Sequence, residues 1–312
     1  MKKKEQEGRK LVEDYGRHLM GYLRPRTVET YIKDVSAFMP TIRWDVSKFT
    51  QQTAESFLTM VFGDRLAGRT MASPATRNQR ISALTSFATW LIKVAKVLTV
   101  NPMEDVRKSR PKQRLPEYLT EEEMATVLDG QDTTRDNGVR DRAMLEFMYC
   151  SGCRASEVAD LTLNNLDLEK GEAKIIGKGD KERMVYLSES CIEWMKRYIN
   201  GVRDKWRQKA RRRGDRMLRV FTNRWFETPN RNDIYTWVLQ CGKNAGLSKK
   251  LHPHMIRHTF GTTMIRNGAN IIAVKEVMGH ASVATTQIYT SVTEQDKKDA
   301  VRNIFNNKKQ EI

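Results

Sequence analysis

Apolar residues recur every three to four positions over residues 27–38, at Val28, Tyr31, Ile32, Val35 and Phe38. They recur again over residues 77–97, at Ile81, Leu84, Phe87, Ala88, Leu91 and Val94. Stripes of this period predict amphipathic helices, which bury their apolar faces against one another as a small bundle. Ser73-Pro74 is a fitting start for the second helix, because proline's fixed φ and missing N–H suit a first helical turn. Residues 108–116 carry no apolar period, and their two prolines and four basic side chains describe an extended tether. Beyond it, Thr120 followed by Glu121, Glu122 and Glu123 reads as a helix N-cap with an acidic first turn. Residues 140–150 predict a helix that buries Ala143, Met144, Phe147 and Met148. The period then shortens: residues 173–176 and 183–187 flank a glycine-bearing turn at Gly177 and Gly179, the pattern of a β-hairpin. Residues 233–241, 257–267, 271–278 and 294–305 return to the helical period. The expected architecture is mainly α with a small antiparallel β-sheet. A helical unit at 1–107 is joined by the basic linker 108–116 to a second unit at 117–312, which ends in a helix at 293–306.

Charge narrows the choice of partner. The 312 residues hold 55 Lys and Arg against 38 Asp and Glu, a net +17. Residues 1–116 have 22 basic and 11 acidic side chains, or +11, and the remainder 33 and 27, or +6. The first unit is the more basic for its size, as expected of a surface that faces a polyanion. A second concentration, nine basic residues between Arg203 and Arg219, reads as a solvated helix end and loop. The apolar stretch at 87–100 is interrupted by Lys93 and Lys96, so no transmembrane helix is expected. Residues 1–10 mix both charges and lead into no apolar segment of signal-peptide type, so a cytoplasmic location is expected. Cys150, Cys153, Cys191 and Cys241 are too few and too scattered for a disulfide scaffold. The Cys150-x-x-Cys153 pair has no second pair nearby and reads as buried helix thiols.

Three of the five histidines, His252, His254 and His258, fall within eight residues that also contain Arg257. At spacings of three and four, His254, Arg257 and His258 can address one side of a helix. An arginine there opposes a bound cation, and no carboxylate or cysteine stands near, which disfavours zinc. The set suits an anion cradle instead, in which a guanidinium fork holds phosphate oxygens and an imidazole moves a proton. Arg154 follows an apolar helix at a glycine break, Lys178 lies in the hairpin turn, and His280 precedes Tyr289 by nine positions.

In order and spacing, Arg154, Lys178, His254-x-x-Arg257, His280 and Tyr289 resemble the tyrosine recombinase family of phage integrases and Xer-like proteins. Gly152-Cys-Arg-Ala-Ser-Glu157 resembles its first-arginine box, Ile176-Gly-Lys-Gly-Asp-Lys-Glu-Arg183 its hairpin lysine, and His254-x-x-Arg-His-Thr-Phe260 its second box. Leu115-Pro-Glu-Tyr-Leu-Thr120 is similar to the usual opening of the catalytic domain, and residues 27–38 to that of the core-binding domain. Two departures stand out. Tyr186 occupies a place where proline is frequent, and the basic stretch from Arg203 to Arg219 is longer than in compact members.

The resemblance implies a helical core-binding domain and a mixed α/β catalytic domain that together perform site-specific DNA recombination or integration without ATP, metal or another cofactor. Tyr289 would attack a phosphodiester, leaving a 3'-phosphotyrosyl link and a free 5'-hydroxyl. Arg154 and Arg257 would clamp the transition state, Lys178 would protonate the leaving oxygen, and His254 would assist deprotonation of Tyr289. His280 would hydrogen-bond the phosphate, with Glu157 and His258 in support. A phenol of reference pKa near 10 needs such company to attack at neutral pH. The implied partner is double-stranded DNA with paired half-sites, bound by a homo-oligomer, a tetramer on two sites. Arg24, Arg26, Arg77, Asn78 and Arg80 are the DNA-contact candidates in the first unit. The final helix, with its apolar edge of Val301, Ile304 and Phe305, either covers its own domain or docks on a neighbouring subunit. A non-catalytic DNA-binding or architectural protein on the same fold is the competing reading.

Overall fold

The computed structural model describes residues 2–62, 73–109, 117–177, 180–210 and 218–279. The chain divides into two compact units, Met1–Gln113 and Arg114–Ile312.

The first unit is a bundle of α1 (Lys2–Met20), α2 (Pro25–Phe38), α3 (Gln51–Phe62) and α4 (Pro74–Lys93). Pro25 opens α2, and Ser73 caps α4 by accepting the Thr76 N–H on its hydroxyl at 3.2 Å. Aromatic rings fill the centre: Tyr15 lies 5.1 Å from Phe87, and Phe38 lies 4.7 Å from Phe49. Large rings in tilted contact supply much apolar burial per residue, which a bundle this small needs. The stripe predicted for α4 ends one residue early. The helix stops at Lys93, so Val94 is exposed rather than part of the core. Gly8 lets α1 approach closely, since a Cβ there would stand 2.4 Å from the Trp44 carbonyl oxygen.

The second unit is built around α6 (Asp136–Ser151), whose Ala143, Met144, Phe147 and Met148 are fully enclosed. Before it comes α5 (Glu121–Asp129), closed by a capping box: Thr120 accepts from the Glu123 N–H, and the Glu123 carboxylate accepts from the Thr120 N–H. After it come α7 (Ala155–Asp160) and a three-stranded antiparallel sheet, β1 (Leu166–Asp167), β2 (Glu172–Ile176) and β3 (Glu182–Tyr186), in that spatial order. Register pairs Ala173 with Val185 and Ile175 with Arg183, and the Ala173, Ile175 and Val185 side chains are buried. Then follow α8 (Glu189–Arg197), α9 (Asp204–Lys209), α10 (Arg231–Asn244), α11 (Pro253–Arg266) and α12 (Ile271–Met278).

One charged residue departs from its solvated reading. Arg203 is buried and donates to the carbonyls of Arg219 and Val220, so it ties the α8–α9 junction to the chain that returns after the basic stretch. All four cysteines are free thiols, three of them buried. Among the described residues no helix is long and apolar enough to cross a membrane. The predicted final helix at 293–306 lies outside the described residues.

Candidate active site

Helix α6 ends because Gly152 adopts a left-handed φ of +60°, and a Cβ at that position would sit 2.4 Å from Cδ1 of Phe260. Both the turn and the close approach of α11 therefore require glycine. Gly152→Ala is expected to destabilise the fold by about 3 kcal/mol, combining the left-handed penalty with overpacking. Denaturant unfolding of the two proteins measures it.

The turn delivers Arg154 to the N-terminus of α7 and Glu157 to its first turn. The Glu157 carboxylate is buried and accepts four hydrogen bonds. Oε1 takes Arg154 Nη1 at 2.8 Å and Arg183 Nη1 at 3.1 Å, while Oε2 takes the Arg154 backbone N–H at 2.8 Å and Arg183 Nη2 at 2.7 Å. Burial alone would raise the carboxyl pKa, but the hydrogen bonds and positive charge of Arg183, followed by those of Arg154, outweigh it and hold Glu157 below the usual range. Glu157 is thus ionised and shared between two guanidiniums.

A third guanidinium comes from α11. His252 caps this helix, its Nδ1 accepting the Met255 N–H at 3.1 Å, and Pro253 begins it. Thr259 secures the helix against the segment before α5, accepting the Leu119 N–H at 2.9 Å. Arg257 is buried, donating through Nη1 to the Gly152 carbonyl at 2.6 Å and through Nη2 to the Met278 carbonyl at 2.5 Å. Arg183 Nε donates to the Val277 carbonyl at 2.8 Å, and Arg154 Nη2 to the Gly279 carbonyl at 3.3 Å. Three consecutive carbonyls at the C-terminus of α12 therefore each receive a different arginine. Helix-end carbonyls lack intrahelical donors and carry the negative end of the dipole, so cations suit them.

The imidazoles differ in setting. His254 is exposed on the first turn of α11. Partial desolvation, then the positive charges of Arg231, Arg257, His252 and Arg154, lower its pKa. His258 is half-buried and pushed down to about 4 by burial, then by His254, Arg257 and His252. Both are neutral near pH 7, and a neutral imidazole can accept a proton. Lys178, His280 and Tyr289 lie outside the described residues. Among those described, no group of three or more His, Cys, Asp and Glu could hold a metal ion.

The structure thus brings Arg154, Glu157 and Arg257 together, with His254 and His258 on the same helix as Arg257. It adds Arg183, which the sequence reading passed over as part of the hairpin motif. The signal was present in the strand alternation: Arg183 shares the buried face of β3 with Val185, and an arginine facing a core needs a partner.

In the first unit, Arg24 and Arg26 are exposed at the start of α2, where Arg26 lines an open hollow of about 540 Å³. Arg77 Nη1 donates to the Arg107 carbonyl and the Ser109 hydroxyl. The Asn78 carboxamide forms a reciprocal pair with the Ser109 backbone at 2.7 and 2.8 Å. Arg80 turns toward the buried Asp34, Nε to Oδ1 3.6 Å.

Residues 117–296 match the model of the phage integrase family. The chain belongs to that family. It is 32% identical over 283 residues to the tyrosine recombinase XerD of Listeria innocua, covering 90% of this chain and 92% of that protein. The solved Tn1549 transposon integrase, in complex with a circular intermediate DNA, superposes with a TM-score of 0.70 at 16% identity, covering 94% of this chain and 99% of that one. The XerH site-specific recombinase bound to palindromic difH substrate gives 0.65 at 23% identity, covering 88% and 79%. As a tyrosine recombinase of the phage integrase family, the chain is an enzyme that cleaves and rejoins DNA strands site-specifically through tyrosine chemistry. The non-catalytic reading is set aside.

Proposed function

We propose that Tyr289 is the nucleophile and that Arg154 and Arg257 hold the phosphate it attacks. The observation that carries this reading is the convergence of two guanidiniums on one ionised carboxylate and of three on one helix end. That leaves a net positive site directly before the segment with His280 and Tyr289. A phosphoryl transition state gains negative charge on its non-bridging oxygens, and preorganised cations lower its energy. Lys178 then gives a proton to the leaving 5'-oxygen, His254 takes one from the phenol, and His280 hydrogen-bonds the phosphate. Glu157 orients Arg154, and His258 supports His254. The phosphotyrosyl bond conserves the energy of the phosphodiester, so a second strand's hydroxyl can reseal it without ATP.

The partner in this reading is duplex DNA with paired half-sites, held by a homotetramer on two sites. Residues 1–107 act as the core-binding domain, 108–116 as linker and 117–312 as the catalytic domain, with the helix at 293–306 linking subunits. Arg24 and Arg26 meet phosphates, while Arg77, Asn78 and Arg80 shape the first unit through the bonds described above. The enzyme works where its DNA lies, in the cytoplasm, and on the nucleoid if its host is prokaryotic.

The test is a nicked duplex that traps cleavage, with the native site first recovered by mapping DNA bound covalently in cells. A 3'-phosphotyrosyl adduct located on Tyr289 by peptide mass spectrometry is expected. An adduct on another residue, or none, overturns the assignment.

A further inference from the structure

We infer that Arg183 is a positioning residue for strand cleavage, acting by sharing the charge of Glu157 and fixing the end of α12 rather than by touching DNA. This role rests on the reading of Arg154 as a phosphate clamp.

The inference begins with accessibility. The Arg183 side chain is about one-tenth exposed, and its fork is fully engaged: two parallel bonds to the Glu157 oxygens and one from Nε to the Val277 carbonyl. Nη2 also points at the buried Cys153 thiol at 3.7 Å. That thiol is pushed up to about 12, chiefly by burial, and stays neutral. A guanidinium bonded this way and about nine-tenths enclosed offers a phosphate little access. Gly279 closes against it as well, since a Cβ there would stand 3.2 Å from Arg183 Cδ.

Charge comes next. Arg154 is the more exposed partner of Glu157, its side chain about one-third accessible against one-tenth for Arg183. With Arg154 alone, the pair would be near neutral, and the carboxylate would screen the guanidinium from an incoming phosphate. With Arg183 supplying a second positive charge, Glu157 is shared, and Arg154 keeps positive potential on its exposed side. The same bidentate contact also fixes the carboxylate rotamer, which in turn sets the direction of Arg154.

Position is the third part. The Nε bond reaches the carbonyl two residues before Gly279, ten positions short of Tyr289. Strand β3 is therefore tied to the helix end from which the nucleophile segment departs. One side chain joins the phosphate clamp and the approach of that segment.

The experiment uses the full chain and the nicked duplex, measuring single-turnover adduct formation against DNA concentration. Arg183→Met is expected to lower the maximal rate about 100-fold while half-saturating DNA changes less than about threefold. Arg183→Lys, which keeps the charge but not the fork, should recover only in part, to a rate about threefold to tenfold below the wild type. In a Glu157→Gln background the further loss from Arg183→Met should shrink to about tenfold or less, the remainder being the share carried by the Val277 bond. Three results would overturn the inference: a rate unchanged in Arg183→Met, a loss carried entirely by DNA affinity, or losses that multiply independently of Glu157. Should Arg183→Met fail to fold, Arg183→Lys decides, since its rate at the Arg183→Met level expected above, or at the full wild-type level, contradicts the role. A wild-type chain forming no adduct would instead remove the functional reading and this role with it.

Discussion

Arg257→Lys is expected to slow adduct formation by about 10³-fold, close to 4 kcal/mol in the barrier, with the protein still folded. The size of the effect follows from what a lysine cannot replace. Arg257 places Nη1 on Gly152 and Nη2 on Met278, so its plane is fixed between the end of α6 and the end of α12. A planar fork held on two sides keeps its guanidinium in one orientation, whereas an ammonium on a flexible stem reaches one carbonyl and leaves the other without its donor. The loss should fall on the rate at saturating DNA more than on binding, because DNA affinity is spread over many phosphate contacts. Single-turnover cleavage, combined with a filter-binding isotherm on the same duplex, separates the two. A rate within tenfold of the wild type would show that the positive charge alone suffices.

The elements that were legible in the sequence are those whose burial repeats at one period. In α4 the buried Ile81, Leu84, Phe87, Ala88 and Leu91 all belong to the predicted stripe, and in α6 all four predicted core residues are enclosed. Helix α1 shows the same period in Val12, Tyr15 and Leu19, a stripe too short to stand out, and it makes its closest approach at a glycine. Strand β1 has two residues, too short for any alternation to register. In the site, Arg154 and the pair His254 and Arg257 announced themselves by spacing and by glycine punctuation. Arg183 is harder to read, because a single arginine between Glu182 and Met184 looks like solvated strand charge until alternation along β3 puts it on the face of the buried Val185. For Arg77 and Asn78 the sequence records the polar side chain but not its partner. Only the fold reveals Ser109, about thirty residues on, as what they hold.

Glu157→Gln should cost about 3 kcal/mol of stability at neutral pH, because it leaves the Arg154 and Arg183 guanidiniums gathered around a neutral amide in a buried site. The amide oxygen can still accept from one donor, but its NH₂ faces guanidinium N–H groups that donate as well, so part of the network becomes repulsive. The pH dependence gives an independent check, and its sign is fixed by the direction of the carboxyl shift. The folded protein holds the Glu157 pKa below its ordinary value of 4.5, so the ionised form contributes its full stabilisation above that pH. As pH falls below 4.5 the unfolded chain takes up the proton first, and the contribution drains away until the folded pKa is passed. The wild-type and Glu157→Gln stabilities should therefore stand furthest apart at neutral pH and converge on acidification, since the glutamine imitates the protonated acid. Denaturant unfolding of both proteins from pH 7 down to pH 3 measures the gap. A constant gap across that range would mean that the charge on Glu157 does not organise the arginines, and that its shape alone fills the site.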